Sequence, residues 1–234
     1  MIVSHEHRFI FIKTRKTAST SIELALSKIC GERDIITPCK QKDEIIRTEI
    51  GGRAPQHYME RFLRYSFRDW FLLLRDGERK RRFCNHIRAE WVRERVGKTI
   101  WDSYFKFCFE RNPWDKVVSA FFWRRSHDPS AKDQYPLLDD FIFSGAAKRR
   151  YSDFPKCCVG GKVAMDFVGR YECIERDWHQ VMRTLGLPED IKLPHAKSGL
   201  RPNQNPYQAI LTEAQRDRIA ADFAREIRYF GYSF

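Results

Sequence analysis

The stretch RFIFIKTRKTASTSIELALSKICG, residues 8–31, contains the patterns of a strand, a loop and a helix in succession. Its first part, Arg8 to Lys13, is a short apolar run bounded by cations, as is typical of a buried strand in a parallel sheet. From Ser19 onward, apolar residues fall at i, i+3, i+4 and i+7 on one helix face: Ile22, Ala25, Leu26 and Ile29. Gly31 suits the end of that helix. The stretch therefore predicts a strand–loop–helix junction.

A second unit repeats this plan about a hundred residues later. The run YFKFCF, Tyr104 to Phe109, alternates like a strand, and ERNP then leads into a helix with Pro113 at its first position. The apolar face predicted for this helix comprises Trp114, Val117, Val118, Phe121 and Phe122. A third strand is predicted from Val163 to Val168, ending at Gly169.

Two further helices are predicted after the third strand. One lies around Arg176 to Leu185, and the other begins at Thr212, where Thr212 and Gln215 fit a capping box. Residues of about 41–100 show helical patterns and little strand signal, which indicates a helical insertion. Strands that alternate with helices predict an α/β fold with a mainly parallel central sheet flanked by helices. We expect residues 1–234 to form a single domain, with ligands at the carboxyl ends of the strands.

Composition narrows the class of partner. The 234 residues include 43 Lys and Arg against 31 Asp and Glu, a net charge of +12, which favours anionic partners without choosing among them. Seven cysteines, an odd number without C-x-x-C pairs, indicate neither a disulfide framework nor a zinc ribbon and favour a reducing compartment. The sequence shows neither an apolar run of membrane-spanning length nor a signal-peptide pattern, so we expect a cytoplasmic protein without an integral membrane segment.

The loop after the first strand has the character of an anion site. A helix N-terminus offers backbone N–H groups and the positive end of the helix dipole, and Lys16 adds a cation beside Ser19, Thr20 and Ser21. No glycine occurs between Phe9 and Cys30, so the loop departs from the Walker pattern and a Walker-type NTPase is disfavoured. The alternative is a solvated basic loop with a Ser or Thr cap.

The second junction strengthens the anion-site interpretation. FCFERNPWDKVVSAFFW places Arg111 at a strand end and Ser119 about two turns into the next helix, away from the apolar face. A solvated arginine and a neutral helix serine are the structural alternative.

Together, KTRKTASTSIE and FERNPWDKVVSAFFW resemble the sulfotransferase superfamily, specifically the bacterial and glycan-type branch (family 2) related to the heparan sulfate 2-O-sulfotransferases. The resemblance continues through HIRAEWVRERVG, FVGRYE and FGYSF. It implies a P-loop-NTPase-like fold, 3′-phosphoadenosine 5′-phosphosulfate (PAPS) as sulfuryl donor and 3′-phosphoadenosine 5′-phosphate (PAP) as product. It also implies an acceptor hydroxyl, with a carbohydrate as the favoured acceptor. Where related proteins commonly have proline before the loop lysine and glycines after it, this chain has Arg15, Ala18 and Ser19.

The resemblance also implies roles for individual residues. The first loop would hold the 5′ end of PAPS, with Lys16 stabilising the leaving phosphate, through Arg15, Lys16, Thr17, Ala18, Ser19, Thr20 and Ser21. Arg111 and Ser119 would hold the 3′-phosphate, and Arg170 and Tyr171 would lie near the adenosine. Lys197 and Arg201 would belong to a loop that covers the cofactor near its 3′ end.

His86 is the candidate general base, because NHIRAEW stands where the resembling family has its catalytic histidine and a histidine suits proton transfer near neutral pH. Glu90, one helical turn later, is the second candidate. A sulfuryl group carries less negative charge than a γ-phosphoryl group, so fixed cations can stabilise its transfer, and we expect no metal.

Two other classes of function stay open at this point. One is a basic nucleic-acid-binding module, which leaves the placement of two anion sites at strand–helix junctions unexplained. The other is a small-molecule kinase, which would require loop glycines and a metal-binding carboxylate. We favour the sulfotransferase, with a small-molecule or glycan acceptor and no nucleic-acid partner, and the sequence does not indicate an oligomeric state.

Overall fold

The computed structural model describes residues 1–194 and 205–234. Seven strands occur within them: β1 (Ile2–Ser4), β2 (Phe9–Phe11), β3 (Ile35–Ile36), β4 (Phe105–Glu110), β5 (Cys158–Val159), β6 (Lys162–Val163) and β7 (Phe167–Arg170). The described residues also form twelve α-helices: α1 (Ser19–Ser27), α2 (Gln41–Glu49), α3 (Phe67–Asp76), α4 (Ala89–Val96), α5 (Lys98–Ser103), α6 (Pro113–His127), α7 (Ser130–Gln134), α8 (Leu138–Phe143), α9 (Ala146–Tyr151), α10 (Ile174–Thr184), α11 (Glu213–Asp222) and α12 (Ala224–Phe230). No helix among the described residues has the length and apolar character needed to cross a bilayer.

The central sheet is mostly parallel, which confirms the predicted α/β class. Its strand order is β3-β1-β2-β4-β7; β2 pairs in parallel with β4, β4 pairs in parallel with β7, and β1 runs antiparallel to both β2 and β3. The P-loop-like character of the fold stays a prediction, as does the assignment of residues 1–234 to one domain.

Side chains that alternate along β2 bury both faces of the sheet. Phe9 and Phe11 pack with α1 and α10, whereas Ile10 and Ile12 pack with α4 and Trp101 of α5. All residues from 37 to 104 are described, and they contribute α2 to α5 but no strand of the central sheet. Of these four helices, α4 and α5 pack on one face of the sheet; that the segment is an insertion stays a prediction.

The predicted third strand was wrong in its position. Val163 pairs instead in the β5–β6 hairpin, and the strand that joins β4 is Phe167–Arg170. Asp166 explains the boundary, because its carboxylate accepts a hydrogen bond from the Lys106 backbone N–H (2.8 Å) and the pairing begins beyond it. Gly169 is required within β7, since a β-carbon there would clash with the Phe109 ring.

The other predicted elements lie close to their expected places. The last helix has the predicted capping box: the Thr212 hydroxyl accepts from the Gln215 N–H (3.3 Å), and Gln215 Oε1 accepts from the Thr212 N–H (3.0 Å). Because β2 and β4 are parallel neighbours, the loops that follow them emerge at the same edge of the sheet.

Candidate functional site

The two loops predicted to bind anions are in direct contact. The first loop, residues 13–18, follows β2, and the second loop, residues 111–112, follows β4. The Thr14 hydroxyl of the first loop donates to the carbonyl oxygen of Phe109 at the end of β4. The structure therefore joins two segments that lie about a hundred residues apart in sequence.

The first loop has strained backbone geometry. Lys16 and Ala18 have positive φ angles of 62° and 53°, although neither is glycine. A residue with a β-carbon pays of order 1 kcal/mol for such a conformation, and strain of this kind concentrates at ligand-binding and catalytic positions. His86, which is the candidate base, also has a left-handed backbone conformation, with a φ angle of 57°.

A Ser or Thr side chain does not cap α1, contrary to the alternative interpretation of the loop. The N-cap is Ala18, which has no capping side chain, and the Ser19 hydroxyl instead donates to the Thr14 carbonyl (2.6 Å). The Thr17 hydroxyl lies 2.9 Å from that of Thr14. These hydroxyl groups hold the shape of the loop, while Thr20 and Ser21 are buried in the first turn of α1.

Arg111 ties the two loops and α6 together. Its Nε donates to Asp115 (2.7 Å), and its Nη1 donates both to the Lys16 carbonyl (3.1 Å) and to the Ser119 hydroxyl (3.3 Å). The guanidinium carbon lies 4.0 Å from the ring centroid of Tyr171, the residue that follows β7. Lys16, Arg111, Ser119 and Tyr171, all predicted from the sequence, are thus brought together.

His86 lies against the base of the first loop. Its Nδ1 is 3.0 Å from the carbonyl oxygen of Lys13, and a carbonyl can only accept, so Nδ1 carries the proton and Nε2 carries the lone pair. Burial lowers the pKa of His86 to about 3; Arg15 and Lys13 act in the same direction, and Asp153 opposes them. The imidazole is therefore neutral near pH 7 and its Nε2 lone pair is available. With this pKa it is nevertheless a weaker base than the histidine of ordinary pKa that the sequence analysis expected.

The depressed pKa of His86 predicts a pH-dependent stability. Unfolded chains protonate histidine near its usual pKa of about 6.5, so they bind more protons than the folded protein between that pH and the folded pKa of about 3. His86 therefore destabilises the wild type as pH falls through this window, by at most about 1.4 kcal/mol per pH unit, and costs nothing above it. Urea unfolding of wild type and His86→Gln at several pH values should show the variant losing less stability below pH 6.5; parallel profiles would contradict this.

A buried ionic cluster supports the first loop from below, and the sequence analysis missed it. Asp153 accepts from the Arg15 backbone N–H (2.5 Å) and pairs with the Arg15 guanidinium (3.1 Å) and with Lys116 (3.2 Å). Burial opposes the ionisation of Asp153, but Lys116, Lys156 and Arg15 outweigh it and lower its pKa. Asp153 thus fixes Arg15, whose side chain remains 35% exposed.

Trp123 is a second residue that the sequence analysis missed. The ammonium of Lys16 lies 5.2 Å from the centroid of its ring and that of Lys40 lies 4.7 Å away, while His127 stacks on the ring at 4.7 Å. Ser119 and Trp123 are four residues apart on α6, so helical spacing could have placed both on the side of the helix that meets the first loop.

The other residues predicted for the site are not among those that the structure shows in contact with the two loops. Arg170 donates to the Phe230 carbonyl (2.7 Å) near the C-terminal segment, and Glu90 is exposed in the first turn of α4. Lys197 and Arg201 lie outside the described residues. Within residues 1–194 and 205–234, no group of three His, Cys, Asp or Glu side chains is placed to hold a metal ion.

Comparison with known proteins gives one match over nearly the whole chain. A model described as the sulfotransferase family matches residues 1–233. An uncharacterised protein of Archaeoglobus fulgidus is 37% identical over 105 residues, which cover 44% of this chain and 85% of that protein. No solved structure matches at a significant level.

Named relatives are more distant. Carbohydrate sulfotransferase 10 of Xenopus laevis is 21% identical over 271 aligned positions, covering 99% of this chain and 67% of that protein. Carbohydrate sulfotransferase 14 of Homo sapiens is 25% identical over 146 residues, covering 51% of this chain and 38% of that protein. The chain thus spans at most about two thirds of the length of these two enzymes. Because the family match covers both loops and His86, the chain belongs to the sulfotransferase family.

Proposed function

We propose that this protein transfers the sulfuryl group of PAPS to a hydroxyl group of a carbohydrate acceptor. The observation that carries the proposal is that Arg111 and His86 both contact the loop that holds Lys16, in a chain of the sulfotransferase family: Arg111 at the Lys16 carbonyl and His86 at the Lys13 carbonyl. Lys16 and His86 have strained backbone conformations, which supports a functional role. The names of the carbohydrate sulfotransferase relatives support the class of acceptor.

The residues present fit the two ends of PAPS. Lys16 and the N-terminus of α1 suit the 5′-phosphosulfate, because a cation and helix N–H groups both favour an anion there. Arg111 and Ser119 suit the 3′-phosphate, and Tyr171 offers an aromatic surface beside them. Arg15, Thr17, Ala18, Ser19, Thr20 and Ser21 shape the loop around the 5′ end.

The proposed mechanism is an in-line transfer. PAPS, when bound, supplies an activated sulfuryl group with the 5′-phosphate of PAP as its leaving group. Lys16 stabilises the negative charge that develops on the leaving phosphate oxygen. His86 takes the acceptor hydroxyl proton on Nε2, while the Lys13 carbonyl holds the Nδ1 proton and stabilises the imidazolium that forms.

Trp123 is the proposed platform for the acceptor. Its ring is partly exposed and lies beside the Lys16 ammonium, so an acceptor on this ring is next to the leaving group. Aromatic rings offer an apolar face to the C–H surface of a sugar. The variant Trp123→Ala tests this assignment, because it should raise the acceptor KM more than the PAPS KM.

A transfer assay tests the proposed activity directly. The purified protein is incubated with PAPS that carries radioactive sulfur and with a panel of neutral and acidic oligosaccharides. We expect label in at least one saccharide, with PAP formed in equal amount. PAP formation that does not depend on any hydroxyl acceptor, with no labelled product, would contradict the proposal.

Arg111→Ala should abolish the preference for PAP over AMP. These ligands differ by the 3′-phosphate, and charge-assisted hydrogen bonds to one phosphate are worth roughly 1.5–3 kcal/mol, about tenfold or more in affinity. The measurement is the ratio of the two Kd values by calorimetry in wild type, Arg111→Ala and Arg111→Lys. We expect a ratio near one in the alanine variant and a partly retained preference in the lysine variant. If the alanine variant keeps the wild-type ratio, Arg111 has only a structural role.

The proposed location is the cytoplasm. All seven cysteines carry free thiols, as suits a reducing compartment. That the enzyme needs no metal and binds no nucleic acid stays a prediction.

A further inference from the structure

Helix α3 has a largely exposed apolar face, of which Trp70 alone stacks on a neighbouring ring, that of Phe62 (5.7 Å between centroids), among the ring contacts of the described residues. Phe67, Trp70, Phe71 and Leu74 fall at i, i+3, i+4 and i+7 and so share one side of the helix. Phe67 is 96% exposed and Leu74 is 83% exposed. Leu63, in the turn that precedes the helix, is 98% exposed. An apolar face of this kind on a protein surface indicates an interaction site.

The helix itself is well formed. Ser66 and Asp69 make a reciprocal capping box at its N-terminus, and Gly77 ends it in a left-handed conformation. Lys80 pairs with Asp69 (2.7 Å), which holds the following segment against the first turn. No residue of α3 is buried, although Leu72 and Leu73 are half-buried on its inner side. The exposed face is therefore ordered but uncovered.

The surrounding segment is strongly basic. Residues 60–82, here called the basic arm, contain eight Lys and Arg residues against four Asp and Glu, a net charge of +4. The Arg75 guanidinium lies 5.4 Å from the Phe71 ring centroid, and that of Arg79 lies 4.9 Å from the Phe62 ring centroid. The guanidinium groups of Arg75 and Arg79 thus lie over aromatic rings of the basic arm.

The net positive charge of the basic arm distinguishes between two possible partners for this face, a second copy of the chain and an anionic bilayer. A second copy of the chain would bring two basic arms together in a two-fold interface and set like charges against each other. An anionic bilayer instead takes the aromatic and leucine side chains among its acyl chains and the arginines among its headgroups. We propose that the basic arm docks the protein on the surface of an anionic phospholipid bilayer.

The basic arm joins the rest of the fold close to the candidate active site. Its two ends are joined where the Arg82 and Phe83 N–H groups donate to the Tyr58 carbonyl (2.8 and 2.9 Å), and Phe83 is buried in the core. His86 follows three residues later. Docking through the arm therefore orients His86, and the first loop that His86 contacts, with respect to the membrane surface.

Co-sedimentation with vesicles tests the proposal without any activity assay. The full chain is mixed, at low salt, with vesicles of phosphatidylglycerol and phosphatidylcholine in equal parts, and separately with pure phosphatidylcholine vesicles. We expect binding to the anionic vesicles only, weakened by high salt. Phe67→Ser/Leu74→Ser should lower the partition coefficient by at least about tenfold. The matched control is Ile45→Ser/Leu137→Ser, two exposed apolar residues outside the arm, which should bind as wild type does.

A second pair of variants tests whether vesicle binding requires the positive charges of the basic arm. Arg64→Gln/Arg68→Gln/Arg79→Gln should weaken binding, whereas Lys148→Gln/Arg149→Gln/Arg150→Gln, which removes three exposed cations from α9, should not. Absence of binding to anionic vesicles would overturn the proposal, as would equal losses in the arm variants and their controls. A dimer in analytical ultracentrifugation that Phe67→Ser/Leu74→Ser dissociates, without vesicle binding, would assign the face to a second copy of the chain instead.

Discussion

His86→Ala should lower kcat by about 10²-fold or more while the affinity for PAP stays nearly unchanged, because a general base acts in the transition state and not in holding the nucleotide. The structure supplies the geometric reason. The Lys13 carbonyl fixes the proton on Nδ1 and leaves the lone pair on Nε2. Steady-state kinetics with a saccharide that accepts the sulfuryl group measure kcat, and calorimetry with PAP measures nucleotide affinity separately.

His57→Ala is a matched control for this variant. His57 also has a positive φ angle, 53°, and its ring Nε2 also contacts a backbone carbonyl, that of Glu32 (2.9 Å), but it is exposed. We expect His57→Ala to keep wild-type turnover, so that a loss in His86→Ala cannot be assigned to the mere removal of an imidazole contact at a left-handed position. A folded His86→Ala protein that binds PAP and turns over at the wild-type rate would remove His86 from the mechanism, and Glu90→Gln would be the next variant.

Lys16→Ala should lower both the affinity for PAP and kcat. Its ammonium would contact the bound nucleotide and also the leaving phosphate oxygen, whose charge grows in the transition state. We expect PAP affinity to fall by about tenfold or more and kcat by about 10²-fold or more. Alanine is the suitable replacement because it keeps a β-carbon at the strained φ of 62°, whereas glycine would also relieve the strain.

Lys40→Ala is the control for Lys16→Ala. Both ammonium groups lie over the Trp123 ring, at 4.7 Å for Lys40 and 5.2 Å for Lys16. Loss of Lys40 should leave PAP affinity and kcat within a few-fold of wild type. Equal losses in the two variants would indicate general attraction of anions to a basic surface and would contradict a specific role for Lys16.

The sequence was informative where the signal is local. The apolar run before the first loop and the helical spacing after it predicted β2 and α1 within a few residues. The alternation of strands and helices also predicted ligand sites at the carboxyl ends of the strands, where Arg111 and Lys16 lie. In contrast, β1 and β3 have three and two residues, which is too short for a recognisable period. They are strands because β2 provides a neighbour for β1, and β1 provides one for β3.

The supporting residues of the site were harder to predict because their contacts are distant in sequence. Asp153 binds Arg15 across 138 positions, from a segment that carries no motif. The pKa of His86 could not be predicted either, since it depends on burial against the first loop and on Asp153, Arg15 and Lys13. Trp123 is different, because its helical spacing from Ser119 was visible in the sequence.

Titration of the purified protein with PAP, AMP and magnesium ATP tests the central claim most directly, since it needs no knowledge of the acceptor. The proposed contacts of Arg111 and Ser119 with a 3′-phosphate predict that PAP binds at least about tenfold more tightly than AMP, without added metal. Equal affinities for PAP and AMP, or tighter binding of magnesium ATP than of PAP, would contradict a PAPS-dependent sulfotransferase and favour a nucleotide-dependent kinase.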